Sequence, residues 1–173
     1  MEFLNTIKNL IPDYAKDIRL NLDGTIARSS LEGNDAVGVA LAAAFAAKSK
    51  IIVDAIRNAG VLSPEELNGA LTAAALMGMN NVWYPYVEMA ADPDLASQPA
   101  GLRMNAYATH GGVDKRRFEM YALAASIVGK CHFCIRSHYE LLKSEQGMTS
   151  QQLRDVGRIA AVITAAANVI AAE

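Results

Sequence analysis

"LSPEELNGALTAAALMGM", residues 62–79, reads as the opening of a long helix. Ser63 stands as the N-cap, and Pro64 takes the first helical position, where its missing N–H costs nothing. Glu66, three residues after the cap, completes a capping box. The device recurs in "MTSQQLRDVGRIAAVITAAANVI", residues 148–170, with Thr149 as cap and Gln152 three later. Around both stretches Ala and Leu recur, runs of β-branched residues with period two are absent, and Gly or Pro punctuates at helical lengths. The pattern predicts an all-α chain of roughly seven to nine helices and no sheet.

An internal echo ties the two stretches together. "ALAAAFAAKSK", residues 40–50, aligns with "ALAASIVGKCH", residues 122–132. The offset is 82 here and 86 between Ser63 and Thr149, so the second copy carries about one extra helical turn. We expect a single all-helical domain over residues 1–173 with an internal two-fold repeat of helical motifs. The first copy covers about 36–90 and the second about 115–173. In this register Ser49, Ile52, Ile56 and Val37 stand opposite Cys131, Cys134, His138 and Glu119, so the first copy is a twin without the chemistry. The intervening "ADPDLASQPAGLRMNAYATHGGVDK", residues 91–115, reads as connector with one short helix.

Composition bounds the function. A chain of 173 residues, 52% hydrophobic and 20% charged, can bury one sizeable core. Net charge of −2 and a pI near 5.9 give no electrostatic reason to expect nucleic acid or an anionic membrane as partner. The N-terminal "MEFLNTIKNLIPDYAKD" mixes acids and bases and lacks the apolar region of a signal peptide. The longest apolar run, Ala36 to Ala47, falls short of the roughly 20 residues that span a bilayer. Cytoplasm is the expected location. A reducing cytosol disfavours structural disulfides, and a close cysteine pair there points to catalysis or metal binding.

That pair lies in "GKCHFCIRSHYE", residues 129–140, which holds the only two cysteines and two of three histidines. Covalent haem needs a His directly after the second cysteine, and Ile135 is there. Structural zinc needs four ligands; Cys131, Cys134 and His138 give three, with His132, His110 or Glu119 to supply the fourth. A thioredoxin site needs strands. There remains a redox CxxC on an all-α scaffold. Gly129 is expected to end one helix as its left-handed residue, placing Cys131 in the first turn of the next, where free N–H groups and the dipole favour a thiolate. His138 extends the face of Cys131 and Cys134. Glu119 lies roughly 15 Å up the preceding helix and His138 roughly 10 Å down the next, so an antiparallel turn brings them level. A relay of Glu119, His138 and a thiol follows, directly or through water. Burial among Ala, Leu and Met should raise the carboxyl pKa. His132 points about 100° away from Cys131. The methionines of "LMGMNN" are expected in the core, and His110 in a loop.

Glu119, eleven intervening residues, then Cys131-x-x-Cys134-x-x-x-His138 resembles the signature of the alkyl hydroperoxidase D (AhpD) family. "PDYAKDIRLNL" from Pro12, "MGMNNVWY" from Met77 and "LRMN" from Leu102 look like its mycobacterial-type members, so the resemblance covers nearly the whole chain. The wider carboxymuconolactone decarboxylase-like superfamily shares the fold, and its decarboxylases lack the cysteine pair. The resemblance implies an AhpD-like helical bundle assembled as a homotrimer. It implies a peroxidase, an alkyl hydroperoxide reductase of the lipoyl-dependent peroxiredoxin type, with no bound cofactor or metal. Reducing equivalents would come from dihydrolipoyl groups of a lipoylated dihydrolipoamide acyltransferase, and the enzyme would also regenerate the peroxiredoxin AhpC. Carried over by position, Cys134 forms the sulfenic acid and Cys131 is its resolving and proton-donating partner. The two form the redox disulfide, and Glu119 and His138 carry the proton relay. Some members have a His directly before the second cysteine; here Phe133 holds that place and His132, one earlier, is the candidate helper. The dipole favours Cys131 as the more acidic thiol, whereas the family makes Cys134 the peroxide-reactive one. The alternatives are a zinc-stapled helical binding module and a decarboxylase-like enzyme using the scaffold without its thiols.

Overall fold

The computed structural model describes residues 1–173 and contains helices joined by turns, with no strand. In order they are α1 (Glu2–Lys8), α2 (Lys16–Leu22), α3 (Asp35–Ala46), α4 (Lys50–Asn58), α5 (Pro64–Ala90), α6 (Pro93–Ala96), α7 (Asn105–Ala108), α8 (Lys115–Gly129), α9 (His132–Ser144) and α10 (Ser150–Ala172). The count exceeds the expected one because the connector folds into two short helices and a 3₁₀ turn at His110–Gly112 rather than one helix. Asp92 caps α6 through the Asp94 amide, with Pro93 at its first position.

Both capping boxes form. Ser63 Oγ accepts from Glu66 N while Glu66 Oε2 accepts from Ser63 N, and Thr149 and Gln152 do the same. These caps start α5 and α10, which pack with α3 and α8 around one core reaching from Phe3 to Ala167. α3 is buried on every side from Asp35 to Ala44, as expected of a helix apolar all round. Gly38 makes room for Tyr121 of α8, whose ring an added Cβ would overlap. At the helix start, Asp35, 1% exposed, takes Arg116 Nη2 at 2.7 Å and Arg117 Nε at 2.8 Å. A buried carboxylate so paired fixes α3 against α8. α10 is long and apolar enough to cross a membrane by length and composition, but Leu153, Val156, Ile159, Ala160 and Ile163 are buried in the core.

The order α3–α4–α5 recurs as α8–α9–α10, with matching joints. Lys48 and Lys130 are both left-handed, at φ 60° and 56°. The Lys48 and Ser49 amides close onto Phe45 O and Ala44 O; those of Lys130 and Cys131 close onto Ile127 O and Ser126 O. Ser49 caps α4 through the Ile52 amide, and Cys131 caps α9 through the Cys134 amide. Two expectations are corrected at the second joint. The left-handed residue is Lys130, not Gly129, and Cys131 is the N-cap rather than a first-turn residue. Gly129 instead supplies space, because a Cβ there would overlap the Asn81 side chain of α5.

Candidate active site

The joint between α8 and α9 turns the chain back on itself, so Glu119 and His138 meet. Glu119 is 0% exposed and His138 6%, and Glu119 Oε2 lies 2.6 Å from His138 Nδ1. The other carboxylate oxygen, Oε1, accepts a hydrogen bond from the Tyr107 hydroxyl on α7. The far nitrogen of the imidazole, Nε2, lies 3.2 Å from the sulfur of Met77 on α5. Four helices thus contribute one side chain each to a continuous polar line through the core: Tyr107, Glu119, His138, Met77.

Burial pushes the Glu119 carboxyl up, but the hydrogen bonds from His138 and Tyr107, with the His138 and Lys115 charges, outweigh it and hold the group below the ordinary carboxylate value. The expected upward shift is therefore corrected. Tyr107 is pushed upward, first by burial and then by the Glu119 carboxylate, so its hydroxyl stays a donor.

Cys131 and Cys134 are joined by a disulfide, with Cα atoms 5.3 Å apart. The two sulfurs differ in surroundings. Cys131 is 0% exposed, its Sγ 3.2 Å from the Cys134 amide and 3.8 Å from Asn80 O of α5. Cys134 lines a cavity of about 440 Å³ together with His138, Tyr107, Met104, Tyr84 and Phe133. Neither nitrogen of His138 bonds a cysteine in this disulfide form; both are taken by Glu119 and Met77.

Sequence similarity agrees with the geometry. The family model described as "Carboxymuconolactone decarboxylase family" matches residues 93–173. Alkyl hydroperoxide reductase AhpD of Rhodospirillum centenum is 42% identical over 172 residues, covering 98% of this chain and 91% of that protein. The protein of the same name from Hyphomonas neptunium is 42% identical, covering 98% and 94%, and that from Streptomyces coelicolor 37%, covering 98% and 96%. The chain belongs to the AhpD family.

Within this AhpD-family scaffold, His132 is not brought to the relay. Its side chain is exposed, its Nδ1 is 3.3 Å from Glu88 Oε1, and it lines a second cavity of about 530 Å³ with Trp83 and Arg136. Tyr84 and Phe133, stacked at 4.3 Å between ring centroids, line both cavities and form the wall between them. His110 is left-handed, with its ring 5.5 Å from that of Phe118 and 6.3 Å from that of Tyr107. No three His, Cys, Asp or Glu side chains converge as a metal ion would require. Tyr107 and Met77 are the residues that sequence reasoning missed. A methionine at helical spacing reads as core, which Met77 also is, and a tyrosine in a connector carries no spacing signal.

The arrangement suits thiol chemistry. The Cys131 sulfur sits at the α9 N-terminus, facing an amide that favours its thiolate. Cys134, itself only 2% exposed, borders space that a small substrate can enter. The imidazole, oriented by a buried carboxylate, can move a proton between that space and the core.

Proposed function

We propose that the protein is an alkyl hydroperoxide reductase that cycles the Cys131–Cys134 pair between dithiol and disulfide. The observation that carries this reading is that Cys134, and not Cys131, shares a cavity with a histidine backed by a buried carboxylate. The Cys134 thiolate attacks the terminal oxygen of the hydroperoxide. The O–O bond breaks, the alcohol leaves with a proton delivered through His138 and Glu119, and Cys134 is left as the sulfenic acid. Cys131 then attacks the Cys134 sulfur, releasing water and forming the disulfide. The order of attack follows access: the dipole favours Cys131 as thiolate, but the substrate meets Cys134 first.

Resetting the pair takes a dithiol. The dihydrolipoyl group of a lipoylated acyltransferase gives up two electrons and two protons and becomes the cyclic disulfide. The reduced pair also serves as reductant of an AhpC-type peroxiredoxin. The working form is a cytoplasmic homotrimer. The test is NADH oxidation driven by an alkyl hydroperoxide, with dihydrolipoamide dehydrogenase, a lipoylated carrier domain and this protein, with and without added peroxiredoxin. Hydroperoxide-dependent turnover lost in Cys134→Ser supports the reading. Absence of turnover in the wild type, or its survival in Cys134→Ser, overturns it.

A further inference from the structure

Glu119 has no exposed surface, yet both its oxygens are satisfied, by donors from different helices. One is His138. The other, Tyr107, sits on a four-residue helix of the connector, which needs some other contact to fix it in place. We propose that Tyr107 is a positioning residue of the relay: its hydroxyl holds Glu119 as the oriented, ionised acceptor of the His138 Nδ1 proton. This rests on the peroxidase reading above.

The argument is geometric. A carboxylate between two donors is acceptor-only. With Oε1 tied to Tyr107, Oε2 has a fixed direction, and the imidazole is turned so that Nδ1 donates and Nε2 faces the Met77 sulfur. The Tyr107 ring is fixed in turn, edge-on to Phe118 with centroids 5.2 Å apart and beside His110. Met104, Tyr107 and Ala108 also line the cavity that receives Cys134, so the same bond ties the cavity wall to the relay. The titratable groups around Glu119 are His138 from α9, Tyr107 from α7 and Lys115 from its own helix, with His110 one ring further out.

Tyr107→Phe removes one oxygen and keeps the ring against Phe118. The Glu119 carboxyl is then titrated by ¹³C NMR in the reduced, selectively labelled protein, which needs no turnover. In parallel, kcat and KM for one alkyl hydroperoxide are followed against pH. We expect the Glu119 pKa to rise and the acid limb of the kcat profile to rise with it. We expect kcat at its plateau to fall roughly tenfold with KM unchanged, the scale of one hydrogen bond to a charged group. Loss of a donor destabilises the ionised form, so the limb must move to higher pH and not lower. An unmoved Glu119 titration overturns the proposal, as does a moved titration with an unmoved kcat profile. If the wild type shows no turnover while the titration shifts, the peroxidase reading fails and the holding of Glu119 by Tyr107 stands.

Discussion

At the scale of single residues, Glu119 and His138 are expected to act as one unit. Glu119→Gln or His138→Phe should each lower hydroperoxide turnover by about 10²–10⁴-fold, the range for a lost general acid or base. The double variant should lose little more than the worse single, because either change already breaks the line. Initial rates, with circular dichroism to check the fold, decide this; losses that multiply would mean two independent roles. Glu119 also leaves a mark on acid stability. Its folded carboxyl is held below the ordinary value of 4.5, so the stabilisation is present above that value and is lost as pH falls through the lower, folded one. Spacing along two helices was enough to place Glu119, Cys131, Cys134 and His138 in one neighbourhood. Hydrogen-bond partners were not legible: burial alone argued for a raised Glu119 pKa, and only the Tyr107 and His138 donors reverse the sign. His132 shows the same limit, since its direction off the α9 face was readable but its contact with Glu88 was not.

At the scale of elements, the α3–α4 and α8–α9 joints use the same backbone device with different side chains. Ser49 and Cys131 each cap a helix through the amide three residues on. In a Cys131→Ser, Cys134→Ser background, Ser49→Cys with Ile52→Cys should therefore give a pair able to oxidise, because the corresponding Cα atoms at the second joint are 5.3 Å apart. It should not give peroxide turnover, since Val37 and Ile56 are buried where Glu119 and His138 would stand and offer neither acid nor imidazole. Thiol counting before and after mild oxidant tests the first half, and hydroperoxide consumption the second. No bridge would mean that the joints differ in geometry; appreciable turnover would mean that the relay matters little. The long capped helices were legible because a cap, a proline and a periodic run reinforce one another. Of α6 and α7 only one short helix was expected in the connector, and neither could be placed, because four residues are too few for a periodicity to register. The left-handed Lys130 was hidden for another reason: glycine is the usual residue at such a position, and here the adjacent Gly129 serves Asn81 instead.

At the scale of the whole molecule, α5 is longer than the core it serves. Its buried residues end at Met77, yet the helix continues to Ala90. Along this extension Val82, Tyr86 and Met89 are 69%, 51% and 78% exposed. Spacings of four and three residues put them on one helical face, and grouped apolar residues in water mark a surface for association. A homotrimer, as proposed from the family resemblance, closes by threefold symmetry and lets each copy cover another's apolar surface. Sedimentation velocity at micromolar concentration should therefore give a species of three times the 18.5 kDa chain mass. Val82→Asp combined with Met89→Glu should shift it to smaller species without changing the circular dichroism, because both positions lie outside the core. A monomeric wild type would remove the trimer. A trimer that survives the double substitution would place its contacts away from this face of α5.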